Sequence, residues 1–327
     1  MSEVEFPHSP IPAANVASVP QRSPLRYPGG KTWLVPHIRA WLGGLDQTPE
    51  LVIEPFAGGA IVSLTAVMEG LVERCLLAEL DPDVAAFWKA ALHHGPNLCE
   101  RIRAFEPTRE AVEALARTQP DGTLDRGFRA LVLNRTRRGG ILAPGASLSR
   151  AGESGKGVAS RWYPETIVSR LELIGAHADR IDFRETDGMR LLEEFAGEPG
   201  SVVFADPPYS AGGKRAGRRL YTHFEIDHPR LFQLLADTAP EFMLTYDHAP
   251  EIAGLVRRHG FHAVQVTMKN THHDRIGELV ITRGPLFVSE NLPWRAAEVE
   301  GVLRYAADFD ARILARRPHR IPAPSGD

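Results

Sequence analysis

The feature that most constrains the fold is an apolar run, Ser201–Ala205, that Asp206-Pro207-Pro208-Tyr209 closes at once. Such a run predicts a strand buried on both faces. The two prolines end the strand and leave the preceding carbonyls free, because they have no N–H donor and a locked φ. A carboxylate, free carbonyls and an aromatic ring together suit a planar ring with an exocyclic amino group. Taken alone, the four residues fit equally well a proline turn with a solvated aspartate.

Length and charge limit the class of protein. The chain has 327 residues, 43% of them hydrophobic, which suits one large α/β domain or a domain with an insertion. The net charge is only −3, so any contact with nucleic acid must come from local basic patches. Two cysteines, Cys75 and Cys99, supply neither a disulfide framework nor a zinc site, and they fit a reducing cytoplasm.

In the stretch Leu51–Ala60 an apolar strand is predicted to run into a glycine turn, and Ile61–Met68 continues as a helix. This arrangement points backbone N–H groups at a nucleotide-like ligand. The third glycine of the dinucleotide fingerprint is missing, which favours a smaller cofactor than a dinucleotide. Glu79 ends the next strand about 20 residues later, where α/β folds hold a ribose diol. Asp81 is a second candidate for that role and also a predicted helix cap.

The strand–helix alternation lapses from about His93. Helical patterning at Leu98–Arg117 and Phe128–Leu133 leads into a basic run, Asn134–Arg138, and a glycine-rich stretch. We interpret this segment as an insertion on one face of the sheet, whose arginines could hold phosphates or read guanine edges. A solvated charged loop is the other interpretation of the same composition.

Four polar or glycine positions follow predicted strands: Gly58, Glu79, Asp187 and Asp206. Ligands of open α/β sheets bind beyond the carboxyl ends of the strands. These positions are therefore predicted to form one site.

Four motifs, in this order, resemble the Dam-like (alpha-class) adenine-specific DNA methyltransferases. They are Tyr27-Pro28-Gly29-Gly30-Lys31, Glu54-Pro55-Phe56-Ala57-Gly58-Gly59, Leu133-Asn134-Arg135 with Gly140, and Asp206-Pro207-Pro208-Tyr209. The resemblance implies a Rossmann-like α/β domain that depends on S-adenosylmethionine, and a mostly helical and loop insertion that recognises the target. It also implies an adenine flipped out of double-stranded DNA.

The resemblance assigns residues to three roles. The cofactor pocket is assigned to Tyr27, Lys31, Phe56, Gly58, Glu79, Asp187 and Asp206. Catalysis is assigned to Asp206, Pro207 and Tyr209. DNA contacts are assigned to Asn134 and Arg135 of the third motif. Arg137, Arg138, Lys214 and Arg215 are also predicted DNA contacts, because they are basic residues of glycine-rich loop segments.

The chemistry implied is a direct methyl transfer. Asp206 and the Pro207 carbonyl would accept both hydrogens of the adenine 6-amino group and aim its lone pair at the sulfonium methyl. Tyr209 would stack on the extruded base. This route needs neither a covalent nucleophile nor a metal.

Two departures from the family pattern qualify the resemblance. Ala60 replaces a glycine of many relatives, which is tolerable if its φ is negative. Thr136–Gly139 differs from the recognition residues of the best-known members, so their GATC specificity does not carry over. Two other hypotheses remain: an RNA or cytosine-4-amino methyltransferase with the same tetrapeptide, and a non-catalytic DNA-binding relative.

These patterns divide the chain into four parts. They are a disordered tail at 1–21, a catalytic domain at 22–92 and 180–283, an inserted recognition domain at 93–179, and an extension at 284–327 with a peripheral helix at Glu298–Ala315. We expect a cytoplasmic protein without a membrane span.

Overall fold

The computed structural model describes most of the chain. The described residues are 5–11, 14, 19–27, 29–143, 145–149, 157–195, 197–208, 226–239, 241–269 and 275–286. The predicted helix at Glu298–Ala315 lies outside them.

The predicted strands form one seven-stranded sheet in the order β3-β2-β1-β4-β5-β7-β6. They are β1 (Leu51–Glu54), β2 (Arg74–Glu79), β3 (Ile181–Glu185), β4 (Ser201–Ala205), β5 (Glu241–Asp247), β6 (His262–Lys269) and β7 (Arg275–Thr282). The first five strands are parallel, and β7 is antiparallel to both of its neighbours. The strand order reverses between β1 and β4, which is where open α/β sheets bind ligands. The predicted Rossmann-like α/β class is confirmed.

Helices cover both faces of this sheet. The α-helices of the described ranges are α1 (Val35–Gly43), α2 (Ile61–Met68), α3 (Pro82–His93), α4 (Gly95–Ala104), α5 (Arg109–Arg117), α6 (Thr123–Thr136), α7 (Pro164–Ala176), α8 (Gly188–Glu194), α9 (His228–Thr238) and α10 (Pro250–His259). None of them is long and apolar enough to cross a membrane.

Alternate residues of each central strand enter two separate cores. Val202 and Phe204 of β4 pack with α1 to α4, α6 and α7 on one face. Val203 and Ala205 pack with α8, α9 and α10 on the other face. This alternation follows from the two-residue period of a strand, and it explains why the central strands are continuous apolar runs.

The insertion shares a core with the sheet. Leu98 of α4, Leu131 of α6 and Ile167 of α7 are fully buried in the cluster that also contains α1 to α3. The insertion therefore lies on one face of the sheet, while the boundaries at 93 and 179 stay a prediction.

The single helix predicted at Leu98–Arg117 is two helices, α4 and α5. Pro107 disfavours helical conformation in the preceding residue. The chain is extended at Phe105, and Thr108 then caps α5 by accepting a hydrogen bond from the Ala111 N–H at 3.1 Å.

Part of the predicted disordered tail is instead paired with the sheet. The Ser9 N–H donates to the Gln265 carbonyl at 2.9 Å, and the Gln265 N–H donates to the Pro7 carbonyl at 2.8 Å. The Ser9 hydroxyl also lies 2.9 Å from the His37 imidazole. Composition did not show this, because the pairing depends on the open edge of β6.

Candidate functional site

A pocket of about 860 Å³ lies at the carboxyl ends of the central strands. Phe56 follows β1, Glu79 ends β2, Asp187 follows β3 and Asp206 follows β4, and all four line the pocket. The structure thus brings three of the four predicted strand-end positions, Glu79, Asp187 and Asp206, to one pocket, whereas Gly58 does not line it.

The glycine turn is shaped by Tyr27. Gly58 has a φ of +46°, and a Cβ there would lie 2.6 Å from the Tyr27 ring, so only glycine allows the ring to lie on the turn. The Gly58 N–H donates to Glu79 at 3.0 Å, and its carbonyl accepts from the Trp88 indole at 2.9 Å. Tyr27 and Phe56 line the pocket, and Gly58 acts by letting the turn close under Tyr27.

Ala60 does not have the negative φ that would make its replacement of glycine tolerable. Its φ is +49° and its ψ is 30°, in the left-handed region, where a Cβ crowds the backbone. The replacement of glycine at this position is therefore strained.

Glu79 binds the main chain of the turn and of its own strand end. One oxygen accepts from the Gly58 N–H, and the other accepts from Leu80 and Asp81 at 2.9 and 3.0 Å. Burial raises the pKa of Glu79 to about 7. Asp81 caps α3 through Asp83 and Val84, as predicted. It also lines the pocket, and its role as a ribose ligand stays a prediction.

Asp187 caps α8. It is exposed, and one of its oxygens accepts from the Met189 and Arg190 N–H groups at 2.9 and 3.1 Å. The same side chain lines the pocket.

Asp206 is held by two neighbours. Lys31 Nζ lies 2.8 Å from one carboxylate oxygen, and the Thr245 hydroxyl donates to the other at 2.8 Å. Lys31 is only 3% exposed and also pairs with Glu278 at 3.2 Å. Lys31 therefore lines the pocket, and its ammonium is directed at the carboxylate of Asp206.

Sequence reasoning missed Thr245 and Glu278. The register pairs Ala205 of β4 with Leu244 of β5, which brings the residues after them together. Glu278 reaches Lys31 because β7 pairs with β5, where Glu278 lies opposite Asp247. Neither residue belongs to a local motif, so only the strand register could have found them.

Glu54 is a second buried acid beside the pocket. It is 3% exposed and accepts from the Ser63 N–H at 3.1 Å. Burial, with a smaller contribution from the charge of Asp206, raises the pKa of Glu54 to about 8. Glu54 is therefore largely protonated at neutral pH, which limits the negative charge around Asp206.

Asn134 is placed differently from the residues around it. It is fully buried; its oxygen accepts from the Arg26 N–H at 2.7 Å, and its amide donates to the carbonyls of Arg26 and Gly140 at 2.7 and 2.8 Å. These bonds fix two main-chain segments to α6. In this conformation the side chain is not open to direct contact with DNA.

The basic residues of the insertion differ in exposure. Arg135 is buried and lines the pocket. Arg137 is half-buried and donates to the Leu142 carbonyl at 3.0 Å, while Arg138 is exposed. The other predicted contacts, Lys214, Arg215 and the stacking residue Tyr209, lie outside the described residues.

Residues 27–119 match the model of the D12 class N6 adenine-specific DNA methyltransferases. The predicted resemblance is confirmed over that segment. The match supports methyltransferase activity. No curated protein sequence matches the chain significantly.

Solved structures similar to this chain are also methyltransferases. The rRNA methyltransferase aviRa from Streptomyces viridochromogenes is 16% identical, with a TM-score of 0.39, over 85% of this chain and 96% of that one. Precorrin-6y C5,15-methyltransferase from Geobacter metallireducens is 11% identical, with a TM-score of 0.33, over 76% and 86%. At these values we draw nothing about the substrate from them.

The raised pKa of Glu54 predicts a pH-dependent stability. Between about pH 4.5 and 8 the folded chain keeps a proton that the unfolded chain releases, so the free energy of unfolding falls as pH rises through this window. Glu54→Gln should flatten that fall, by an amount on the order of 1–4 kcal/mol, in urea unfolding measured from pH 5 to 8. The exposed Glu193→Gln is the control. An equally steep fall in Glu54→Gln would contradict the assignment.

Asn134→Leu should lower the free energy of unfolding by about 3 kcal/mol or more, because three buried main-chain groups lose their partners. Arg138→Leu, an exposed change in the same segment, should stay within about 0.5 kcal/mol. Urea unfolding measures both. A loss under about 1 kcal/mol for Asn134→Leu would rule out the anchoring role.

Proposed function

We propose that this chain is a site-specific DNA adenine methyltransferase, which moves a methyl group from S-adenosylmethionine to the 6-amino group of an adenine flipped out of double-stranded DNA. The observation that carries the proposal is the fixed carboxylate of Asp206 in the pocket at the end of β4. The family match at residues 27–119 supports adenine as the base.

The pocket residues fit the cofactor. Glu79 ends β2 at the position where α/β folds hold a ribose. Its Oε1 accepts two main-chain N–H groups and its Oε2 accepts one, so Oε2 keeps a lone pair for a ribose hydroxyl. Asp187 and Met189 line the same cavity beside it, and Tyr27 covers the glycine turn. When bound, S-adenosylmethionine supplies a methyl group activated by a sulfonium.

Asp206 would orient the target amino group. An aromatic amine is a poor nucleophile because its lone pair is delocalised into the ring. Thr245 and Lys31 each hold one oxygen of Asp206, which fixes the plane of the carboxylate that would accept one amino N–H. The Pro207 carbonyl would accept the second hydrogen. The nitrogen is thereby held toward tetrahedral geometry, so that catalysis is positioning and electrostatics.

The same carboxylate can take the proton that the methylated nitrogen releases. Lys31 pairs with this carboxylate, and Glu278 shares that lysine. The stacking of Tyr209 on the flipped base stays a prediction.

Asp206→Ala should reduce methyl transfer by at least about 10²-fold, because the amino group loses its oriented acceptor. Binding of S-adenosylhomocysteine, measured by calorimetry, should remain. Asp182→Ala removes an acid near the amino end of β3, away from the pocket, and should leave transfer unchanged. Transfer of a tritiated methyl group to DNA is the assay. Full activity of Asp206→Ala would end this mechanism.

The base can be identified directly. DNA from cells that express the protein should contain N6-methyladenine at one recurring sequence, detected by sequencing of modified bases. Methylation of the cytosine 4-amino group instead would replace adenine as the target, and methyl transfer to RNA alone would replace DNA.

A further inference from the structure

Four arginines line one wall of the pocket, and three of them belong to the insertion. They form what we term the arginine cluster: Arg26, Arg135, Arg161 and Arg170. Arg135 lies in the last turn of α6, and Arg170 lies on α7. Asn134 fixes the main chain of Arg26 beside them. The fold therefore holds four positive charges close together.

Arg135 lies at the centre of this cluster. It is 7% exposed, and its Nε and Nη2 have no hydrogen-bond partner among the described residues. Burial, and then the charges of Arg170, Arg26 and Arg161, lower the pKa of Arg135 to about 9, so it remains charged at neutral pH. A buried charge without a counter-ion destabilises the folded protein. Such an arrangement indicates a site that is completed by an anion.

Two anions could reach this wall: the carboxylate of the cofactor and a phosphodiester of the substrate. The amino-acid end of S-adenosylmethionine carries an ammonium beside its carboxylate and a sulfonium nearby, and four guanidinium groups would repel both. A phosphodiester carries negative charge alone, and its oxygens match the planar fork of arginine. The charge balance favours the phosphodiester.

An exposed aromatic side chain adjoins the cluster. Tyr163 is 43% exposed and lines the same pocket, next to the start of α7. Stacking on an aromatic ring stabilises an unpaired base. A nucleotide would use both groups, with its phosphate on the arginines and a base on the ring.

We propose that the arginine cluster binds a backbone phosphodiester of the strand that carries the target base, and that Tyr163 contacts an adjoining base. This inference rests on the proposed function for the identity of the substrate. The site lies in the wall of the pocket, where it would hold the DNA backbone while the target base is out of the double helix.

The test compares three variants in the full chain. Arg135→Met removes the charge at similar size, Arg135→Lys keeps the charge without the fork, and Arg74→Gln removes an exposed arginine at the amino end of β2, away from the pocket. Three quantities are measured: affinity for a short random-sequence duplex over a range of KCl, affinity for S-adenosylhomocysteine, and thermal unfolding without DNA.

Arg135→Met should bind the duplex about tenfold more weakly or worse, with a salt slope shallower by about 0.9, the value for one phosphate. Its affinity for S-adenosylhomocysteine should be unchanged, and it should unfold at the same temperature as the wild type or higher. Arg135→Lys should restore the slope but only part of the affinity. Arg74→Gln should match the wild type.

Other results would overturn the proposal. An unchanged salt slope in Arg135→Met would remove the phosphate contact. Weaker binding of S-adenosylhomocysteine with normal DNA binding would identify the anion as the cofactor carboxylate. Weaker DNA binding with a lower unfolding temperature would give Arg135 a structural role.

Methyl transfer by the wild type separates the two proposals. If the wild type transfers no methyl group but the slope depends on Arg135, the enzyme proposal fails and the phosphate site stands. If the wild type methylates DNA and the slope does not depend on Arg135, the phosphate site fails alone.

Discussion

The pocket depends on one buried lysine between two acids. Lys31 precedes α1, Asp206 follows β4 and Glu278 lies on β7, so a single ammonium connects three distant parts of the chain. Removing it would leave two carboxylates in a largely buried place, which is costly. Burial, with a smaller contribution from the charge of Asp206, raises the pKa of Glu54 beside them to about 8. The carboxylate plane of Asp206 is therefore set by the tertiary fold as a whole.

The charges of the pocket are divided between the two parts of the fold. The strands and their carboxyl ends supply the acids, and Lys31 pairs with two of them. The insertion supplies three of the four residues of the arginine cluster. A cationic cofactor and an anionic backbone would bind to opposite signs within one cavity. This division explains how a chain with a net charge of −3 can still offer a strongly basic wall.

The sequence predicted what local chemistry determines. The strand Ser201–Ala205 and its double proline, the glycine turn and the acids at strand ends are all encoded within a few residues of each other. Contacts between distant segments were not predictable. Asn134 was expected on DNA because its motif is basic, yet its amide pairs with main chain 108 positions away. The alanine at position 60 is tolerable only with a negative φ, but the turn between β1 and α2 imposes the left-handed region.

The pairing of residues 5–11 with the sheet has a consequence for solubility. β6 is an edge strand, and an uncovered edge offers free N–H and C=O groups to strands of other molecules. Pro7 and Ser9 occupy those groups at Gln265. At this position the edge is therefore closed to the strands of other molecules, which limits intermolecular sheet growth.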